Sequence, residues 1–221
     1  MSTLDFYFDF ISPYAYLAAL RLPALAAQCG ATICYKPILF AALLDAHGTL
    51  GPAEVPAKRR YVFLDVMRKA HLLGVPLVPP PSHPFNPLLG LRVVAAAPEA
   101  AREAVVGCLF QAAWGRGEGI TEAEGVRQHL DAAGFDGASL VAAAHETPAK
   151  AVVKANTDGA LAAGAFGVPT MCVEGDLFWG FDSLAALEAR LRGEGPDVAE
   201  ALARWEHLPA SAVRAKASGA R

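Results

Sequence analysis

The sequence is poor in cysteine and has none of the spacings on which cysteine chemistry rests. Cys29, Cys34, Cys108 and Cys172 form no Cys-x-x-Cys pair and no zinc-like set. They read as small, reduced, buried apolar residues rather than as bridges or ligands. His47, His71, His129, His145 and His207 make no metal-ligating pattern either. No uninterrupted apolar run is long enough to cross a bilayer. The first residues lack the basic segment of a secretory leader. Positive charge is not in excess: 19 Lys and Arg stand against 22 Asp and Glu, a net charge of −3. That balance argues against a nucleic-acid partner and against a polybasic membrane patch. Internal repeats are missing too. These absences point to a soluble cytoplasmic protein with reduced thiols.

What is present is apolar bulk: 54% of 221 residues are hydrophobic, enough for one large domain or one domain with an insertion. Leu4, Phe6, Phe8 and Phe10 alternate with Asp5, Tyr7 and Asp9, which predicts a strand over 3–10. An Ala- and Leu-rich helix is expected over 13–29, stopped by Gly30 and kinked or split at Pro23. A second strand is expected over 32–37. Strand, helix and strand joined by short turns suggest a right-handed parallel unit. Residues 38–150 show no strand pattern. Helices are expected over 40–46, 55–73, 88–97, 99–114, 121–133 and 140–157, with a proline-rich stretch over 75–87 that cannot be regular helix. Strands return over 170–174 and 177–179, turning at Gly175-Asp176. Helices over 184–192 and 198–205 follow, then a frayed tail. The α/β unit thus occupies 1–38 and 155–208, a helical insertion 39–154, and a flexible tail 209–221.

Two short segments carry chemistry. Ser12 stands where a helix N-cap belongs, and Pro13 where the first helical residue belongs. A helix N-terminus attracts an anion, and a hydroxyl there can donate to a thiolate, alkoxide or carboxylate. Far along the chain, Gly167-Val168-Pro169-Thr170 places a proline just before a strand, a candidate cis bond. A cis bond there leaves the Val168 backbone N–H and C=O outside a regular ladder, open to an extended peptide.

The order of elements, with these motifs, resembles the thioredoxin-like fold with a large all-helical insertion. Within it, the chain is similar to the kappa-class glutathione transferase group and most closely to the bacterial 2-hydroxychromene-2-carboxylate isomerases. The residues that carry the resemblance are Asp9-Phe10-Ile11-Ser12-Pro13-Tyr14, Val55 to Tyr61, His83-Pro84-Phe85-Asn86, Phe166 to Thr170, and Phe178 to Asp182. Redox members of the fold open the first helix with Cys-x-x-Cys, whose thiolate the helix N-terminus stabilises. Here that window reads Ser12-Pro13-Tyr14-Ala15, so disulfide cycling at this site is excluded and an anion site remains.

The resemblance implies glutathione as cofactor, with Ser12 catalytic and donating to its thiolate. Lowering a thiol pKa by one unit takes about 1.4 kcal/mol, within reach of one charge-assisted hydrogen bond of about 1.5–3 kcal/mol. It also implies that Val168, beside Pro169, pairs with the cysteinyl backbone. Asp182 and Ser183 would hold the γ-glutamyl end, and Lys58 the glycine or substrate carboxylate. Thr49 transfers least well, because relatives often carry Asn near that place. Lys58, Arg59 and Asn86 would offer polar contacts to substrate. Against these stand plainer readings. The Lys-Arg-Arg run at 58–60 can be a solvated face, Asp182 a helix cap, His83 a surface turn and Trp179 a core residue. The activity implied is isomerisation of a hydroxychromene carboxylate or related aromatic by transient thiolate addition, in a homodimer. A kappa-type transferase and a non-catalytic thioredoxin-like binding module are the alternatives.

Overall fold

Leu4, Phe6 and Phe8 have no exposed surface, and they set the centre of the molecule. The protein was analysed as a computed structural model, which describes residues 2–196, 198–209 and 211–212. Strand β1 (Thr3–Phe8) pairs in parallel with β2 (Thr32–Pro37) through helix α1 (Pro13–Cys29). On its other side β1 pairs antiparallel with β3 (Thr170–Val173), which pairs antiparallel with β4 (Asp176–Trp179). The sheet order is β2-β1-β3-β4. Phe6 sits in register with Tyr35 on one side and Met171 on the other.

β1 ends at Phe8, two residues before the alternation does. The Asp9 backbone carbonyl accepts the Ser12 N–H at 3.1 Å, and one Asp9 carboxylate oxygen accepts the Ile11 N–H at 3.0 Å. These local bonds compete with the ladder and turn the chain. α1 runs unbroken through Pro23, so the helix is not split there. Its buried stripe, including Tyr16, Leu17, Leu22 and Ala26, outweighs one lost backbone bond, since packing supplies most helical stability in a protein.

Between β2 and β3 lie α2 (Phe40–His47), α3 (Pro56–Leu73), α4 (Leu88–Ala96), α5 (Arg102–Phe110), α6 (Ala123–Ala132), α7 (Gly137–Ala144) and α8 (Thr147–Ala162). A single helix expected over 140–157 is two, because Pro148 has no N–H to continue a helix but suits a first turn and starts α8. The boundary expected at 154/155 falls inside α8. α5 widens at its end into a π-helical turn, Gln111–Gly115. These helices share one apolar core with the sheet: the Phe110 ring lies 4.6 Å from that of Phe10 and 5.7 Å from that of Phe8. The opposite sheet face carries Tyr7, which packs with Ile38, Leu43, Ala160 and Ala165.

The β3–β4 turn is Glu174-Gly175, one residue earlier than expected. Both have positive φ, 52° and 92°, as a tight two-residue hairpin requires, and Gly175 adopts it without strain. Helices α9 (Leu184–Leu191) and α10 (Ala199–Glu206) close the described chain. The tail expected over 209–221 lies, apart from residues 209, 211 and 212, outside the described residues. All four cysteines are free, but they are half-buried rather than buried. Among the described residues no helix is long and apolar enough to cross a membrane.

Candidate active site

The turn between β1 and α1 is held from several directions. Ser12 caps α1: its hydroxyl oxygen accepts the Ala15 N–H at 3.2 Å, and Pro13 follows at the first helical position. The Ser12 hydroxyl in turn donates to the Val168 carbonyl at 3.4 Å, across 156 residues of sequence. The Val168–Pro169 bond is cis. The Val168 carbonyl is therefore engaged by Ser12, not left free as the sequence suggested. The Phe10 carbonyl accepts the buried Trp114 indole N–H at 2.8 Å, and the Ile11 carbonyl is 3.0 Å from His83 Nε2. A carbonyl only accepts, so Nε2 carries the hydrogen and Nδ1 has a lone pair. Nδ1 is buried without a partner. Burial pulls the His83 pKa below its usual value, the bond to Ile11 opposes this, and Arg59 adds to the lowering.

His83 is thus no surface turn. Its ring packs among Phe63, Phe85 and Trp114, with centroids 5.3, 6.5 and 5.5 Å away, and its bond to Pro84 is also cis. Asp9 lies beneath this turn, 1% exposed. Its second carboxylate oxygen accepts the Phe40 N–H at 2.9 Å, tying the turn to the start of α2. Burial raises the Asp9 pKa to about 7, with the two amide bonds working the other way.

Above the turn opens a cavity of about 720 Å³. Ser12, Tyr14 and Val168 line its floor; α2 and the loop after it contribute Phe40, Leu44 and Thr49; α3 contributes Lys58, Arg59 and Phe63. Phe166 and Trp179 stand at its lip, rings 4.8 Å apart. Trp179 is 54% exposed, so it is a rim residue and not core. Its indole rests against Gly167, where a Cβ would come within 2.4 Å of Nε1; a larger residue would displace the ring. Arg59 donates to the His83 carbonyl at 2.9 Å and lies 5.8 Å over the Phe63 ring.

Of the residues singled out in the sequence, Ser12, Thr49, Lys58, Arg59 and Val168 come together on this cavity. Pro169 lies behind it, its carbonyl accepting the Gly180 N–H at 2.8 Å. That bond brings the 180–183 turn alongside. Asp182 pairs there with Lys69 at 3.3 Å and keeps 80% of its side chain exposed. Lys69 also holds Asp65 at 2.7 Å, and Asp65 accepts the Tyr14 hydroxyl at 2.6 Å. Burial and then that bond push the Tyr14 pKa up. The Ser183 hydroxyl donates to the Gly180 carbonyl at 2.8 Å. Asn86 does not reach the cavity wall: its side-chain oxygen accepts the Leu88 N–H at 3.0 Å and caps the start of α4. Asp9 and His83 were missed as members of the site. Asp9 and His83 sit inside quoted motifs, but only the tertiary contacts show what each is bonded to. No cluster able to hold a metal occurs among the described residues.

The DsbA-like thioredoxin domain family matches residues 3–192. A 2-hydroxychromene-2-carboxylate isomerase of Sphingobium xenophagum is 34% identical over 191 residues, 86% of this chain and 97% of the relative. The chain belongs to the 2-hydroxychromene-2-carboxylate isomerase family, within the DsbA-like thioredoxin fold. A solved 2-hydroxychromene-2-carboxylate isomerase superposes with a TM-score of 0.78 at 31% identity, over 92% of this chain and 97% of that one. Glutathione S-transferase kappa 1 of Rattus norvegicus is 26% identical, over 86% of this chain and 91% of its own. Kinship with this family supports an isomerase role for the chain.

Proposed function

We propose that the chain is a glutathione-dependent isomerase acting on 2-hydroxychromene-2-carboxylate or a related aromatic-degradation intermediate. The observation that carries the reading is the Ser12 hydroxyl. It caps α1, lies 3.4 Å from the Val168 carbonyl, and lines an aromatic-walled cavity of about 720 Å³. The fit with glutathione is tested by what these groups still have to offer. The Ser12–Val168 bond is long for O–H···O, so the hydroxyl can turn from the carbonyl to an incoming anion at little loss. The Val168 N–H stands outside the ladder, which begins at Thr170. Asp182 is exposed enough to take an ammonium while it keeps Lys69. Lys58 is free to meet a carboxylate at the mouth.

Glutathione, when bound, supplies a thiolate that adds to and leaves a conjugated double bond, allowing rotation with no net redox change. The chain's own residues would do the rest. Ser12 donates to the negative charge, and the α1 N-terminus stabilises it. Val168 and Pro169 set the extended backbone; Asp182 and Ser183 hold the γ-glutamyl end; Thr49 and Lys58 take the glycine end. Lys58 and Arg59 meet the substrate carboxylate, and Phe40, Phe63, Phe166 and Trp179 cover its ring. A homodimer and a cytoplasmic setting belong to the same proposal. The similarity to the rat kappa transferase favours a second reading, conjugation of glutathione to electrophiles from the same site.

The test is turnover of the chromene carboxylate with and without glutathione. The proposal expects isomer only when glutathione is added, without consumption of it. Equal turnover in its absence would overturn the proposal, and accumulation of a stable conjugate would favour the transferase.

A further inference from the structure

Asp9 is a buried charge-bearing group that the reading above leaves unused. Asp9 borders the same cavity as Ser12 and is 1% exposed. Its partners are the Ile11 and Phe40 amides, at 3.0 and 2.9 Å. The other titratable groups around the cavity are Tyr14 on α1, Asp45 on α2, Glu54 in the following loop, Lys58 and Arg59 on α3, and His83. None pairs with it. Tyr14 is bonded to Asp65, Glu54 to the Gly51 N–H, Arg59 to the His83 carbonyl, and His83 to Ile11. A carboxyl in this position has no counter-ion, and it lies one turn of chain from the spot that draws a second negative charge. Two like charges so enclosed do not both ionise freely.

We propose that Asp9 and the thiol of bound glutathione share one proton. When the thiol ionises at Ser12, its proton passes to the Asp9 carboxylate, giving thiolate and carboxylic acid. When the thiol is reformed, the proton returns. The S–H bond breaks and an O–H bond forms, with no change in total charge, so the site stores the proton that solvent would otherwise take. Pairs of this kind titrate in two joint steps rather than as separate groups. The inference rests on the glutathione reading, and its test separates the two.

Reduced glutathione is titrated calorimetrically into the 221-residue protein at pH 8 in buffers of different ionisation enthalpy, which counts protons released. Ultraviolet absorbance of the same mixtures reports thiolate. Wild type should show thiolate with well under one proton released per site, and Asp9→Asn close to a full proton. Equal release from both, with thiolate in both, would overturn the inference and leave the glutathione reading standing. Should Asp9→Asn fail to fold, carbon-13 NMR of the Asp9 carboxyl in the wild type decides the matter. Its midpoint should rise by about one pH unit or more with saturating glutathione, and an unmoved midpoint would overturn the proposal. No heat and no thiolate with the wild type would remove the glutathione reading, and this inference with it.

Discussion

The floor of the cavity and its facing wall are built on opposite plans. On the floor, each of the four residues of the Asp9–Ser12 turn has one bond to a distant element: Trp114 holds Phe10, His83 holds Ile11, Phe40 holds Asp9, and Val168 holds Ser12. On the facing wall, residues 49–61 are largely exposed, Leu50 by 64% and Tyr61 by 60%, and Arg59 makes its bond at the surface. The floor fixes one hydroxyl within tight limits. The wall offers apolar area and two cations that can adjust. A site arranged this way holds its reacting group rigidly and leaves room to accommodate the substrate, in keeping with the rule that reactive geometry needs a locked supporting shell.

Substitutions can break that contrast. The largest effect is expected where sheet and helices meet: Phe110→Ala should cost about 3–5 kcal/mol of stability, measured by urea unfolding, because Phe8, Phe10 and Tyr16 all lose a ring partner. Ser12→Ala should lower turnover about a hundredfold or more, the loss typical of one donor to a developing anion. Its loss of stability should stay within about 0.5–2 kcal/mol, the usual cost of an N-cap. Turnover unchanged in that variant would detach Ser12 from the chemistry.

Asp9 sharpens the floor's side through pH. The fold raises its pKa from the carboxylate range to about 7, so between about pH 4 and 7 the folded protein holds a proton that the unfolded chain has lost. Stability from this group is therefore greatest at low pH and declines as pH rises through that window, by about 1.4 kcal/mol per pH unit and roughly 4 kcal/mol at most. Asp9→Asn should lack this slope, so the wild-type-minus-variant difference in unfolding free energy should fall from pH 4 to 7 and level off above. A difference that is flat across the window would show that Asp9 is ionised in the fold. The smallest effect belongs to the wall: Lys58→Met should raise KM for glutathione or substrate about tenfold, about 1.4 kcal/mol, with kcat and stability little changed.

The same contrast explains what the sequence made legible. Ser12-Pro13 and Val168-Pro169 are readable because caps and prolines act locally, through one donor or one missing N–H. The strand alternation of Leu4, Phe6 and Phe8 is readable because burial has a period. The break at His145–Glu146 was hidden by the helix-forming run Ala142–Ala144 before it and by Ala149 and Ala151 after it, with only Pro148 to mark it. Asp9 and His83 were hidden because their meaning comes from non-local partners: an isolated acid after a strand says nothing of the Phe40 amide that it will meet, nor an isolated His of the Ile11 carbonyl. Asn86 differs for the opposite reason: its motif pointed to substrate, while its side-chain oxygen accepts the Leu88 N–H of its own loop and the residue does not line the cavity. Trp179 looked like core because tryptophan is mostly buried, yet the close approach of Gly167 seats it at the rim.

The central claim is that this turn makes a borrowed thiol more acidic. It is tested most directly by the ultraviolet thiolate signal of glutathione, followed against pH in the presence of wild type and of Ser12→Ala. We expect the first midpoint of the wild-type complex to lie at least about one pH unit below that of free glutathione, and the variant to recover much of that shift. A wild-type midpoint equal to that of glutathione in buffer would contradict the account.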